Sequence, residues 1–523
     1  MIANAFRPNS GAAGFIAWTS LANALLYHAP IVLFAIRNLG LASVTGVATL
    51  LTLALVVLAI TAVALGLLAL ISHRVLKPFC MLMAVGNSVA LYFVVTYGVI
   101  LDKAMMGNVL GTDIAESAEL FHPSLLAYVA LLGVAPCWLL ARVQIRPAPR
   151  RHLAAGAGAV LLATLIWGYL ASPTWLWFDH NAKKLGGLVL PWSYLVNTTR
   201  SQLPRLWAPA QVLLPPATFT SDEPAVVVLV IGEAARRRNF QLYGYGRPTN
   251  PLLSQAGVVA LPNAAACSTY TTASLRCILS HVDSGSEFAR RYEPLPSYLQ
   301  RHGVDVIWRT RNWGEPAMQV QSFERGRELR AGCTGDGCEF DEVLLTGLEQ
   351  RIRASKSPRV FVVLHQSGSH GPAYSKKYPP RLEAFTPVCR SVELSQCTSQ
   401  ELVNAYDNTI RYTDEFLSQV IALLKRLEHT PSLMIYVADH GESLGEYGLY
   451  LHGTPLSIAP DVQKEIPFIL WMSPEFASAR GVDPRQLLSR ASHDQHEIFH
   501  TVMGAFALRS DAYRGEYDLF AAP

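Results

Sequence analysis

Ala225-Val226-Val227-Val228-Leu229-Val230-Ile231-Gly232-Glu233 is the stretch on which the fold turns. Seven apolar, mostly β-branched residues in a row read as a strand buried on both faces. A carboxylate placed directly beyond such a strand is costly unless something pairs with it. Working outward, residues 304–308, 359–364, 433–437 and 467–470 carry the same signature, and the segments 294–302, 341–354 and 399–425 between them read as helices. This alternation predicts an α/β domain with a largely parallel central sheet. Functional groups in such a sheet gather just past the carboxyl ends of its strands.

Upstream the chain has another character. Residues 1–172 contain nine Lys/Arg and four Asp/Glu, leaving 34 and 35 for the remainder. Charge-free apolar runs fall at 15–36, 43–72, 81–101, 124–141 and 153–172, each near or above the roughly 20 residues that cross a bilayer. Five such runs predict permanent spans rather than one cleaved leader. Arg7, the pair Arg74 and Lys77, and the group Arg142, Arg146, Arg150 and Arg151 alternate with loops carrying only Arg37 and Lys103. The positive-inside rule then puts the N-terminus in the cytoplasm and everything after residue 172 outside it. The expected organisation is a five-helix transmembrane domain at 1–172 with an outer loop at 102–122, an interfacial bridge and linker at 173–224, and a catalytic domain at 225–523. In the bridge, Trp175, Trp177, Trp192 and Tyr194 suit a membrane interface. A net charge of +4 without clustered basic and aromatic residues excludes a nucleic-acid partner.

Cysteine placement agrees with an oxidising compartment. Cys80 and Cys137 lie in apolar segments, whereas the other six form close pairs: Cys267/Cys277, Cys333/Cys338 and Cys389/Cys397. Six cysteines allow fifteen connectivities, and pairing between neighbours is the inference from spacing. The first pair brackets Ser268-Thr269-Tyr270-Thr271-Thr272-Ala273-Ser274-Leu275-Arg276, a run of small hydroxyls. Such a loop reads either as a surface loop closed by a disulfide or as the holder of a nucleophile.

Three strand exits carry chemistry: Gly232-Glu233, the run His365-Gln366-Ser367-Gly368-Ser369-His370-Gly371-Pro372, and Asp439-His440-Gly441-Glu442-Ser443. Two carboxylates, an imidazole and a hydroxyl make a donor set suited to zinc, which would lower the pKa of the hydroxyl for attack on phosphorus. His370 and His452 are candidates for holding the transferred phosphate or a second metal, or are satisfied structural histidines. His493, Asp494 and His500 read as packing and capping groups. In the outer loop, Asn108, Thr112 and Glu116 recur every fourth residue and share one helix face. That face reads either as a cradle for a lipid headgroup amine or as the wet side of an interfacial helix.

Taken together, the five spans, Val-Ile-Gly-Glu, the Cys-bracketed Thr loop, Ser-His-Gly-Pro, Asn-Ala-Tyr-Asp-Asn-Thr (404–409), Asp-His-Gly-Glu-Ser-Leu-Gly-Glu (439–446) and Tyr-Leu-His-Gly resemble the lipid A phosphoethanolamine transferases. That family includes the mobile colistin-resistance enzymes and belongs to the alkaline phosphatase and sulfatase superfamily. The resemblance implies that Glu233, Thr271, Asp439 and His440 bind a catalytic zinc, with Thr271 as nucleophile. It implies that His370, His452, Asn108, Thr112 and Glu116 bind substrate. The implied protein is a monomeric, multi-pass enzyme of the bacterial inner membrane with its catalytic domain in the periplasm. It would move phosphoethanolamine from phosphatidylethanolamine to lipid A in two steps, conferring polymyxin resistance. After Trp308-Arg309, relatives often carry Asn-Asn-Ser and then a substrate-contacting Lys, whereas this chain reads Thr310-Arg311-Asn312-Trp313-Gly314-Glu315-Pro316; Arg276 stands where many have proline. Those departures bear on the acceptor, so a core sugar, a glucan or a protein is the alternative acceptor. A membrane-anchored hydrolase and a non-catalytic sensor are the remaining alternatives.

Overall fold

The computed structural model describes residues 9–39, 43–110, 118, 120–206, 211–282 and 292–521. The chain divides into two compact bodies, one of residues 1–107 and 121–206, the other of residues 108–120 and 207–523.

The first body is helical: α1 (Ala12–Tyr27), α2 (Ala29–Asn38), α3 (Val44–Ile71), α4 (His73–Tyr97), α5 (Pro123–Arg142), α6 (Arg150–Leu170) and α7 (Trp192–Leu206). Among the described residues, α3, α4, α5 and α6 are each long and apolar enough to cross a membrane, and α1 with α2 passes the same test as a pair bent by 61°. The first expected run is therefore broken. Pro30 sits in the first turn of α2, where its missing N–H costs nothing, while its ring bars continuation from α1. The third run starts eight residues early, at His73, because hydropathy marks the apolar part of a helix and not its basic first turns.

Large apolar side chains such as Leu25, Leu82 and Tyr169 face outward from this body. Polar ones face in. Asn87 Nδ2 donates to Asn23 Oδ1 at 2.7 Å, Asn23 Nδ2 donates to the Leu190 carbonyl at 3.0 Å, and Tyr194 OH donates to Asn87 Oδ1 at 3.1 Å. Trp192 Nε1 donates to Thr61 Oγ1 at 3.1 Å. Trp192 and Tyr194, expected at an interface, thus serve the interior hydrogen bonds of the bundle.

The second body is built on seven strands: β1 (Ala225–Gly232), β2 (Val259–Ala260), β3 (Asp305–Thr310), β4 (Ser322–Arg325), β5 (Arg359–His365), β6 (Ser432–Ala438) and β7 (Phe468–Met472). Their order is β2-β7-β6-β1-β5-β3-β4. β6, β1, β5, β3 and β4 are mutually parallel, and β7 and β2 close one edge antiparallel. β1 lies at the centre with all eight residues buried, as its unbroken apolar run demands. Each expected strand is present within two residues, while the two edge strands β2 and β4 are too short to announce themselves.

The helices that matter for the site are α8 (Thr271–Ile278), α9 (Leu295–Arg301), α10 (Leu348–Arg353), α11 (Ser399–Arg426) and α12 (Glu497–Ala505). α11 opens with a Thr398/Glu401 capping box, closes on Lys425 and Arg426, and buries Leu402, Ala405, Tyr406, Ile410 and Phe416 on its inner face. The expected helix at 341–354 splits into a 3₁₀ segment Asp341–Leu345 and α10, because Gly347 takes the left-handed conformation at φ 59°.

Candidate metal centre and active site

Four segments converge beyond the carboxyl end of the sheet. β1 delivers Glu233, and β6 delivers Asp439 and His440. All three are completely buried. Gly232 makes the turn possible, since a Cβ there would meet the Tyr436 hydroxyl at 2.4 Å. The Cys267–Cys277 disulfide ties the segment before α8 to its last turn, and Thr271 is the first residue of that helix. The other expected bridges, Cys333–Cys338 and Cys389–Cys397, are also formed.

The donor atoms face one another. His440 Nε2 lies 3.2 Å from Asp439 Oδ2, 3.5 Å from Glu233 Oε1 and 3.4 Å from Thr271 Oγ1, and Thr271 Oγ1 donates to Glu233 Oε2 at 3.1 Å. His440 Nδ1 pairs with the Gly441 carbonyl at 2.9 Å, which places the proton on Nδ1 and a lone pair on Nε2. Asp439 Oδ1 accepts from the N–H groups of Ala234 and His440, but Asp439 Oδ2 and Glu233 Oε1 have no hydrogen-bond partner among the described residues. Three acceptors therefore meet in a closed space with no donor between them, an arrangement that is unfavourable without a cation. Burial, and after it the charge of Asp439, pushes the Glu233 carboxyl well above its ordinary range; burial pushes the His440 imidazole down to about 4. Carboxylate, carboxylate, imidazole and hydroxyl are ligand types that a divalent cation of the zinc class accepts. By proximity alone, Glu233, His440 and His452 also form a triad with ligand atoms within 4.8 Å of one another. Asp439 Oδ2, an acceptor without a hydrogen-bond partner among the described residues, lies 3.2 Å from His440 Nε2 at the edge of that triad.

Comparison with known proteins agrees with this geometry. The sulfatase family model matches residues 225–508, and the model for phosphoethanolamine transferases EptA/EptB matches residues 57–203. Phosphoethanolamine transferase EptA of Helicobacter pylori is 38% identical over 501 residues, covering 93% of this chain and 92% of that protein. The chain belongs to the phosphoethanolamine transferase family. Phosphatidylethanolamine transferase Mcr-1 of Escherichia coli is 32% identical over 87% of this chain and 89% of its own length. The structure of the integral membrane lipooligosaccharide phosphoethanolamine transferase A from Neisseria meningitidis superposes with a TM-score of 0.90 at 28% identity, covering 98% of this chain and 99% of that one.

In this transferase the loop after β5 brings His370 to the same mouth. The rings of His370 and His452 lie 5.5 Å apart, and those of His452 and His440 lie 4.2 Å apart. Asp341 accepts from the N–H groups of Ser367 and Gly368 and so pins that loop. Gly368, at φ 48°, approaches the backbone of Glu233 so closely that a Cβ would sit 2.9 Å from it. Asn108, in the short helix Lys103–Val109, groups with the second body, where its Oδ1 accepts from Thr272 Oγ1 at 3.4 Å. Thr112 and Glu116 lie outside the described residues. His493 pairs with Glu497, Asp494 accepts from the His496 N–H, and His500 bridges two backbone groups, all structural tasks.

Three contributors escaped the sequence reading. Asn312 donates to Glu233 Oε2 at 2.7 Å and to the Gln366 carbonyl at 3.0 Å. Its position two residues past β3, a fourth strand exit, is the signal that would have found it. Gln495 donates to the carbonyls of Ala438 and Asp439 and accepts from the Cys267 N–H, bracing the metal loop against the hydroxyl loop. Nothing local marks it. Glu442, inside the quoted Asp-His-Gly-Glu motif, accepts from Tyr374 OH at 2.6 Å and pairs with His452.

Proposed function

We propose that this chain transfers phosphoethanolamine from phosphatidylethanolamine to a phosphate of lipid A through a covalent intermediate on Thr271. The observation that carries the reading is the place of Thr271 Oγ1. It lies at the start of α8, within 3.1 Å of Glu233 Oε2 and 3.4 Å of His440 Nε2, where a nucleophile for phosphoryl transfer is needed. The first-turn N–H groups of α8 have no partner within the helix and favour an anionic phosphoryl group. Glu233, Asp439, His440 and Thr271 are the residues that would hold zinc, and the bound ion would supply the charge that lowers the hydroxyl pKa and offsets the phosphoryl oxygens.

In the first step Oγ of Thr271 bonds to phosphorus and the bond to the diacylglycerol oxygen breaks. The Thr271 proton passes to its acceptor, Glu233 Oε2. A histidine of the His370/His452 pair protonates the departing diacylglycerol. In the second step an oxygen of the lipid A phosphate bonds to the same phosphorus and the bond to Thr271 breaks. Glu233 returns its proton to Oγ, and the P–OH of the acceptor restores the histidine. Each transfer adds an ammonium group to lipid A, which weakens attraction of polymyxin and other cationic peptides. The disulfides and the charge distribution of the loops support a periplasmic site in an inner-membrane protein.

Mass spectrometry tests this directly. Lipid A from cells expressing the chain gains phosphoethanolamine, Thr271→Ala abolishes the gain, and Thr271→Ser retains part of it. Undiminished transfer by Thr271→Ala would remove the nucleophile; an increment found only on core oligosaccharide would change the acceptor.

A further inference from the structure

Glu442 is completely buried, and both of its carboxylate oxygens are committed to side chains. Oε1 accepts from Tyr374 OH at 2.6 Å, and Oε2 meets His452 Nδ1 at 2.7 Å. Tyr374 is itself buried, with its ring edge-on to Tyr406 at 5.5 Å. Tyr406 OH donates to the Ala234 carbonyl at 2.7 Å and accepts from the Arg236 N–H at 2.9 Å, on the segment that follows Glu233. Arg236 also reaches the Glu442 carbonyl, at 3.3 Å, so this carboxylate is held at both its backbone and its head.

We propose that Glu442 is a positioning residue for the transfer reaction: through Nδ1 it sets the ring plane and tautomer of His452, so that Nε2 is the nitrogen offered to the reacting phosphoryl group. Tyr374 in turn orients Glu442. The inference rests on the transfer reading above and names which end of His452 does the work. A carboxylate offers only acceptors, so the shared proton resides on Nδ1 and the imidazole enters catalysis through Nε2. Two anchors on one carboxylate fix its plane, and a ring held by such a carboxylate does not turn to present the wrong nitrogen. The ring of His452 lies beside those of His440 and His370, so its orientation matters where phosphate must be met. Glu442 acts through His452 and touches no substrate itself.

The test is a double-mutant cycle on the full-length protein in detergent, reading labelled diacylglycerol released from a fluorescently tailed phosphatidylethanolamine, above the background of Thr271→Ala. Glu442→Gln should lower kcat by about 10- to 100-fold with little change in KM, the usual cost of losing a partner behind a working histidine. In a His452→Ala background the same substitution should cost almost nothing more. Glu442→Asp should recover part of the loss, and Tyr374→Phe should give a smaller loss that also vanishes without His452. Equal fold losses with and without His452, or no loss at all, would overturn the proposal. If Glu442→Gln fails to fold, the Tyr374→Phe cycle carries the same two outcomes. Diacylglycerol release by Thr271→Ala at the wild-type rate would instead sink the wider transfer reading.

Discussion

The two bodies bury their polar groups for opposite reasons. In the helical body the surface is apolar, and the interior is where Asn23, Thr61, Asn87 and Tyr194 find one another. In the sheet body the centre is apolar, and buried polar groups gather mainly at the strand ends, along α11 and around α12. The first pattern suits a solvent with no hydrogen bonds to offer, so polar side chains turn inward to be satisfied. The second suits water outside and tolerates buried charge only where several partners meet it. A deletion of the same kind should therefore cost different amounts in the two bodies.

The larger effect belongs to the sheet body. Asp407 is fully buried on α11 and accepts from Asn239 Nδ2 at 2.6 Å, Tyr245 OH at 2.9 Å and Arg247 Nη1 at 2.6 Å. Three donors on the segment after Glu233 would lose their acceptor at once. Asp407→Ala should destabilise the protein by about 3 kcal/mol, less than a fully sequestered pair would give because Arg247 remains partly wet. Thermal unfolding followed by intrinsic fluorescence measures it. A shift within error of wild type would show that α11 does not clamp that segment.

The smaller effect belongs to the bundle. Asn87→Leu removes the donor to Asn23 Oδ1 and the acceptor for Tyr194 OH. The expected loss is only about 1 kcal/mol, since an unfolded helix in lipid or detergent also finds partners for its polar groups. Resistance to denaturing detergent reads this out. A loss matching that of Asp407→Ala would erase the contrast between the two bodies.

This difference also explains what could be read from the residues alone. β1 and β6 announce themselves because burial on both faces keeps charged residues out for seven positions. The carboxylates and imidazole that end those runs are then conspicuous. The spans are equally plain by hydropathy, but the bend at His28 and Pro30 is not, because a proline alone does not mark a break: Pro78 stands inside α4, which runs on past it. Gln495 has no local signal, being a partner that only the crossing of distant segments creates, whereas Asn312 stands at a strand exit without a charged side chain to mark it. The pairing of Glu442 with His452, ten residues apart, was in the quoted motifs yet unread, since spacing does not tell which nitrogen of a histidine is engaged.

The smallest expected effect separates the bodies by pH. His500, on α12, is fully buried; its Nε2 lies 3.2 Å from the His281 carbonyl and its Nδ1 accepts from the Arg514 N–H. Such a ring must be neutral, with the proton on Nε2. Burial, and then the neighbouring His496, lowers its pKa to about 3; burial, and then the charge of Arg514, lowers that of His281 to about 4. Below the ordinary value of 6.5 the unfolded chain binds protons that the folded chain refuses. The stability these groups contribute is therefore complete above about 6.5 and falls as the pH drops toward 4. Asp414 and Asp518, raised by burial to about 6, act in the opposite sense, losing stability as the pH rises through that value. The net slope mixes the two, so the decisive measurement is a difference between proteins. His500→Gln keeps a donor for the His281 carbonyl and removes the titration, so its melting temperature should fall less than that of wild type between pH 6.5 and 4. Parallel curves for the two proteins would mean that the imidazole cluster plays no part in the acid sensitivity of the sheet body.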